Sequence, residues 1–288
     1  MRSKSILISL VALAVVAGAC GGGGGDQSPA DAIAAASVNT TEAGSAKVSI
    51  ASTTTIPEAL AGGGPTSIEF GGEGSVDYEN QIGEMTMDMS DMGGAAGGPQ
   101  MGDMNMVFEG TMIYMQFDLL AQQLPEGKSW VRFDLTTIAE ELGVDVSQFT
   151  QFSNNDPTAA LQYLEGATDL EEVGSEEVRG EETTHYEGVV DLQKAADNVE
   201  DEKLSKAFEQ VIEVGGQEEI PLEVWVGDDE TIRRMLYAFE TPAGQGSTET
   251  LSSELSMDFF DFGTEVDVTI PPDDETVDLQ ELMGASAP

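Results

Sequence analysis

SIEFGGEGSVDYENQIGEMTMDMSDM, residues 67–92, decides how this chain is read. It holds two alternating runs, Ser67–Tyr78 and Gln81–Met92, joined at Asn80. In the second run Met85, Met87 and Met89 fall on one side, and Thr86, Asp88 and Ser90 on the other. A period of two marks a half-buried strand, because successive side chains point to opposite faces of a sheet. The stretch therefore predicts a β-hairpin.

The same signal extends in both directions. Upstream, Ser28 as N-cap and Pro29 at the first helical position open a helix through Ala30–Ala36, and alternation from Ala46 to Ser52 reads as the first strand. Downstream, a Gly-, Ala- and Met-bearing loop at Gly93–Gly102 precedes strands at Asn105–Glu109, Thr111–Phe117 and Trp130–Leu135. Short helical pieces are expected at Leu119–Leu124, Ile138–Leu142 and Thr158–Leu164. The second half repeats the plan. A hairpin of Glu171–Arg179 and Thr183–Leu192 turns at Gly180-Glu181, and a helix follows with Leu192, Ala196, Val199, Leu204, Phe208 and Ile212 in one apolar stripe. Its polar face carries Asp197, Glu200, Asp201, Glu202 and Glu209, where a membrane-surface helix favours Lys and Arg, so it is expected to pack on the sheet. Strands Pro221–Val226 and Ile232–Phe239 pair over Asp228-Asp229. Strands at Thr248–Phe262 and Val266–Ile270 and a helical turn at Val277–Met283 complete the chain. This order predicts an α+β fold, one strongly curved antiparallel sheet with helices on one face, in a single domain.

The N-terminus has a different grammar. Arg2 and Lys4 precede an apolar run, Ile6–Val16, and Ala17-Gly18-Ala19 leads to Cys20, the chain's only cysteine. Basic, apolar and small residues in that order make a secretory signal, and the run is too short for a permanent span. The layout resembles a bacterial lipoprotein signal. It divides the chain into a signal peptide at residues 1–19, a lipidated Cys20 with a Gly-rich tether at 20–29, and a folded domain at 30–288. The tether's root-mean-square reach is roughly 15 Å, which keeps the domain beside the membrane. The expected location is therefore the extracytoplasmic face of the cell membrane, lipid-anchored through Cys20.

Composition sets further limits. Asp and Glu total 54 against 11 Lys and Arg, for a net charge of −43. Duplex binding depends on Lys and Arg displacing counterions, so nucleic acid is not an expected partner. With Cys20 lipidated no disulfide can form, and the fold must rest on an apolar core. No stretch matches a calcium loop, a nucleophile elbow or a complete P-loop; Gln122 stands where the P-loop's first glycine would be, before Gly127-Lys128-Ser129. His185 is the only histidine, and alternation sets it opposite the apolar Tyr186, Val190 and Leu192, on the solvent side of its strand. Neither a catalytic residue nor a metal site nor a cofactor is expected.

The methionines stand out. Met85, Met87, Met89, Met92, Met101, Met104, Met106, Met112 and Met115 fall in one group of strands. Methionine is flexible and polarizable, so it can fill a core, line a cavity for irregular apolar ligands, or offer thioethers to copper. If the apolar faces point inward, the lining comprises Met85, Met87, Met89, Met104, Met106, Phe108, Ile113, Met115, Phe117, Val131, Phe133, Val224 and Val226. Alternation alone leaves cavity and solid core as alternatives.

Several segments in order resemble the actinobacterial LppX/LprG-type lipoproteins of the LolA/LolB-like superfamily. They are Ala30–Ile33 running to Ala46-Lys47-Val48, Gly127–Val131, and Asp156-Pro157 to Leu161. Arg179-Gly180 with Thr184-His185-Tyr186 and Val190-Asp191-Leu192 follow, then Ile220–Val226 with Ile232-Arg233-Arg234, and Asp261-Phe262-Gly263 to Pro271-Pro272. The resemblance implies a half-barrel sheet wrapped against helices around an apolar cavity. It also implies a non-enzymatic carrier of acylated lipid or glycolipid within the cell envelope, with an envelope transporter protein as a further partner. The alternative is a surface lipoprotein that acts through protein contacts, as a sensor or assembly partner.

Overall fold

The computed structural model describes residues 28–61, 66–90, 102–122, 124–137, 167–198, 205, 212, 217–243 and 249–285. Helix α1, Pro29–Glu42, opens this part of the chain. The Ser28 hydroxyl accepts the Asp31 N–H at 3.2 Å, and Pro29 needs no partner at the first position. Twelve strands follow: β1 (Ser45–Thr55), β2 (Ser67–Asp77), β3 (Ile82–Asp88), β4 (Asp103–Glu109), β5 (Met112–Phe117), β6 (Trp130–Asp134), β7 (Ala167–Val178), β8 (Glu181–Asp191), β9 (Glu219–Gly227), β10 (Ile232–Pro242), β11 (Thr250–Phe260) and β12 (Thr276–Asp278).

All twelve join one open sheet in the order β12-β6-β5-β4-β3-β2-β1-β11-β10-β9-β8-β7. Two meanders, β1 to β6 and β7 to β11, meet where β1 pairs antiparallel with β11. The α+β class and the antiparallel sheet hold, with one exception at the edge. There β12 runs parallel to β6, with Val277 opposite Val131.

Turns sit close to where the residues predict them. The Asp77 carboxylate accepts the Asn80 N–H at 2.8 Å and holds the β2–β3 turn. The β7–β8 turn is one residue earlier than expected: Val178 pairs with Glu181, leaving Arg179 and Gly180 between them. Both have positive φ, +52° and +88°, which is the type I′ geometry that suits a two-residue hairpin. Val266–Ile270 does not form the expected strand. Residues 264–272 are irregular, and the edge position beside β6 is taken by Thr276–Asp278, beyond Pro271-Pro272. The helical turn expected from Val277 instead starts after that strand, at Leu279–Ala285.

The packed core lies under α1. Ile33 and Ala36 of the helix meet Tyr186 and Val190 of β8, Leu222, Val224 and Val226 of β9, and Ile232 at the start of β10. Leu192, which starts the helix Leu192–Asn198, is buried in the same cluster, and Ile212 packs against it. The stripe thus meets the sheet at its described positions. Thr40 fastens the far end of α1: its hydroxyl donates to the Ala36 carbonyl at 2.7 Å and accepts the Ile232 N–H at 2.8 Å. Among the described residues no helix is long and apolar enough to cross a membrane. The Ile138–Leu142 and Thr158–Leu164 helices, most of the Gly93–Gly102 loop and all of residues 1–27 lie outside the described residues.

Candidate functional site

Register places the methionines. One cross-strand row runs Gly74, Met85, Met106, Met115, Val131 and Val277 from β2 to β12. A second runs Gly72, Met87, Met104 and Phe117, and a third Val76, Gly83, Phe108, Ile113 and Phe133. Residues directly opposite in a ladder share a face. Met85, Met87, Met104, Met106, Phe108, Ile113, Met115, Phe117, Val131 and Phe133 therefore form one apolar patch across β3 to β6. Met89 lies just past β3, where its N–H bonds the Gly102 carbonyl at 3.1 Å.

The glycines opposite them have a reason. A Cβ on Gly72 would lie 2.6 Å from the Thr86 carbonyl oxygen and 2.9 Å from Met87 Cγ, so the Met87 side chain already covers that space. At Gly83 the occupant would be the ring of Phe108, and at Gly74 the backbone of Glu84. Gly72 of β2 and Gly83 of β3 thus give this face bare backbone, over which Met87 and Phe108 lean. Glycine in a strand commonly marks such close approach and relaxes the bend of a sheet.

Burial divides the expected lining. Val224, 1% exposed, and Val226, 7%, belong to the packed cluster under α1. Val131 at 2% and Met87 at 8% are also enclosed. Met85, Met104, Met106, Phe108, Ile113, Met115, Phe117 and Phe133 are each only half-buried. The other face of these strands is polar in part: Thr86, Asn105 and Gln116 are linked by side-chain hydrogen bonds of 3.0 and 3.4 Å. In the neighbouring row of the same face lie the buried Val107 and Tyr114, then Arg132. The Arg132 guanidinium holds Asp278 at 2.8 and 3.2 Å and Asp273 at 2.6 Å, which pins β12 to β6. The hydrogen bonds from Arg132 hold the Asp278 carboxyl below the usual carboxylate range.

A second constellation lies on the opposite face of the other meander. His185 stacks on Trp225, ring centroids 4.2 Å apart and 8° from parallel, because β8 and β9 set the two residues opposite each other. His185 Nε2 is 2.9 Å from a Glu223 carboxylate oxygen, and Trp225 donates its indole N–H to Glu176 at 2.8 Å. Trp225 is 5% exposed. Beyond it, Arg234 grips Asp258 through two bonds of 2.6 and 2.9 Å, and Arg179 reaches Asp258 at 3.3 Å while covering the Phe260 ring. His185 does lie on the face opposite the core, as alternation implies. Its stacking partner is not legible in local alternation, because only the β8–β9 register puts Trp225 beside it.

Among the described residues the seven cations Lys47, Lys128, Arg132, Arg179, Lys194, Arg233 and Arg234 each bond a carboxylate or a carbonyl. Six of them pair with a carboxylate and Lys128 with the Asp273 backbone carbonyl, within a chain of net charge −43.

No family model matches the chain. It is 30% identical over 162 residues to an uncharacterised 31.2 kDa protein of Streptomyces griseus from the rplA–rplJ intergenic region, covering 54% of this chain and 50% of that one. It is 24% identical over 162 residues to a Streptomyces coelicolor protein named as a candidate lipoprotein, covering 55% of this chain and 45% of that one. The chain therefore spans about half the length of the curated relatives it matches. Among solved structures it is similar to the lipoprotein LppX of Mycobacterium tuberculosis, with a TM-score of 0.48, 16% identity, and coverage of 85% of this chain and 100% of that one. It is also similar to LprF of Mycobacterium bovis, with a TM-score of 0.38, 16% identity, and coverage of 86% and 99%.

Proposed function

We propose that this chain is a membrane-anchored lipoprotein of the LppX/LprG type that binds acylated lipid or glycolipid and carries it within the cell envelope, without catalysis. One observation supports the reading above the others. Ten apolar residues share one face in adjoining ladders, and eight of them are only half-buried. A filled core would close over such a face. A lipid-binding surface needs it open and adaptable, and methionine's unbranched thioether supplies the adaptability. Each methylene left in water costs about 0.8 kcal/mol, so a two-tailed lipid requires a dry host to cross an aqueous gap. Cys20 and the tether would hold the domain at the membrane, where such a lipid is loaded. Two or more acyl chains on that cysteine anchor firmly, whereas a single chain would bind only marginally.

The test is extraction. Protein made without residues 1–20, purified from a lipid-rich host without detergent, is expected to release acyl lipid into organic solvent in near-equimolar amount by mass spectrometry. Lipid-free protein from the same host would overturn the carrier reading.

A further inference from the structure

We propose that His185, Glu187 and Glu223 form a binding site for a divalent transition metal of the zinc type, on the sheet face opposite the core. One ligand atom from each lies within 4.8 Å of the others. The site is assembled by register. His185 and Glu187 are two residues apart on β8 and so project to the same side. Glu223 of β9 stands directly opposite Glu187. Glu171 of β7 stands opposite Glu187 on its other flank, so three glutamates line up across three neighbouring strands. Like charges directly opposite in a ladder repel, and a cation between Glu187 and Glu223 would turn that repulsion into attraction. Among the described residues the basic side chain that reaches this row is His185, through Glu223. The nearby Arg234 is committed to Asp258.

The imidazole is prepared for the role. Stacking on Trp225 holds the ring plane, and the His185 side chain is 14% exposed, so its orientation is set before any ion arrives. Nε2 already faces the Glu223 carboxylate at 2.9 Å. A metal taking the place of the shared proton binds nitrogen and oxygen at roughly 2.0–2.2 Å each, which asks the pair to separate by only a few tenths of an ångström. Nδ1 lies 3.8 Å from Glu176 Oε2, beyond hydrogen-bond reach, and that oxygen accepts the indole N–H of Trp225, which fixes the surface on which the ring stacks. One nitrogen and two carboxylate oxygens suit zinc and its first-row neighbours. Calcium and magnesium favour all-oxygen sites.

The chain has a single histidine, which makes the test direct. The full chain, labelled with nitrogen-15 at histidine, is titrated with zinc chloride in a large excess of magnesium, and the ring nitrogen signals are followed. The expected result is a saturable shift of the one histidine at one zinc per chain. Glu223→Gln and Glu187→Gln should each weaken it by at least the roughly tenfold that loss of even a supporting hydrogen bond costs a metal site. Glu254→Gln, on the distant strand β11, should leave it unchanged. Glu187 is exposed, so its variant carries the test if Glu223→Gln does not fold. A histidine signal unmoved by zinc, or one that titrates alike in all three variants, overturns the proposal.

Discussion

Thr40 shows how one hydroxyl can bind two elements that the sequence separates by nearly two hundred residues. Its oxygen accepts the backbone N–H of Ile232, a residue 4% exposed, so no water can take over that role. Replacing Thr40 by Ala leaves a buried donor unpaired, at a cost of about 2 kcal/mol. The Thr40→Ala protein should unfold at a lower urea midpoint with an unchanged slope, whereas Thr40→Ser should stay near the parent. An equal loss in both variants would mean that the methyl group, and not the hydroxyl, carries the contact. At this scale the sequence was legible where the interaction was local. Ser28, Pro29, Asp77 and Asn80 cap or turn the chain within three residues of themselves. Thr40 gave no such sign, because its partner lies on another element.

Elements were legible through periodicity, and their edges were less so. Alternation found both meanders, since apolar and polar residues alternate along most of their strands. It misread Val266–Ile270, because an alternating pattern becomes a strand only where a neighbouring edge accepts it. Here β12 holds that edge instead, and Arg132 with Asp278 fastens it there. Asp278→Asn should therefore loosen β12 and the helix Leu279–Ala285, raising amide exchange there at a global cost of about 1 kcal/mol or less for so exposed a pair. The folded-state pKa of Asp278 is lowered, so its contribution is complete above the ordinary carboxylate range. It is lost as pH falls through that lowered value. The variant and its parent should thus differ at neutral pH and converge in acid; a difference that persists when Asp278 is protonated would assign the effect to packing.

For the whole molecule the question is where the apolar interior is filled and where it is left open. Val224 lies in the filled part, and Val224→Ala should cost about 2 kcal/mol through lost burial and the void left behind. Met106, half-buried in the middle of the methionine rows, should cost about 1 kcal/mol or less on truncation to Ala if its face borders an open space. A buried methionine in a packed core would cost about 2–5 kcal/mol, so parallel denaturant curves of the two variants decide between cavity and core. By itself the sequence determined most of the strands, the cap of α1, the acidic surface and the common face of the methionines along each strand. All of these follow from the spacing of neighbouring residues. Only the tertiary structure decided that β1 pairs with β11, that β12 runs parallel to β6, and that Val224 and Val226 sit under α1 rather than among the methionines. It alone brought His185, Trp225 and Glu223 together. Pairing between strands depends on backbone hydrogen bonds that every residue but proline can make, so side-chain identity says little about which edge will meet which. Register then matters fully, since a slip of one residue would carry every methionine to the other face.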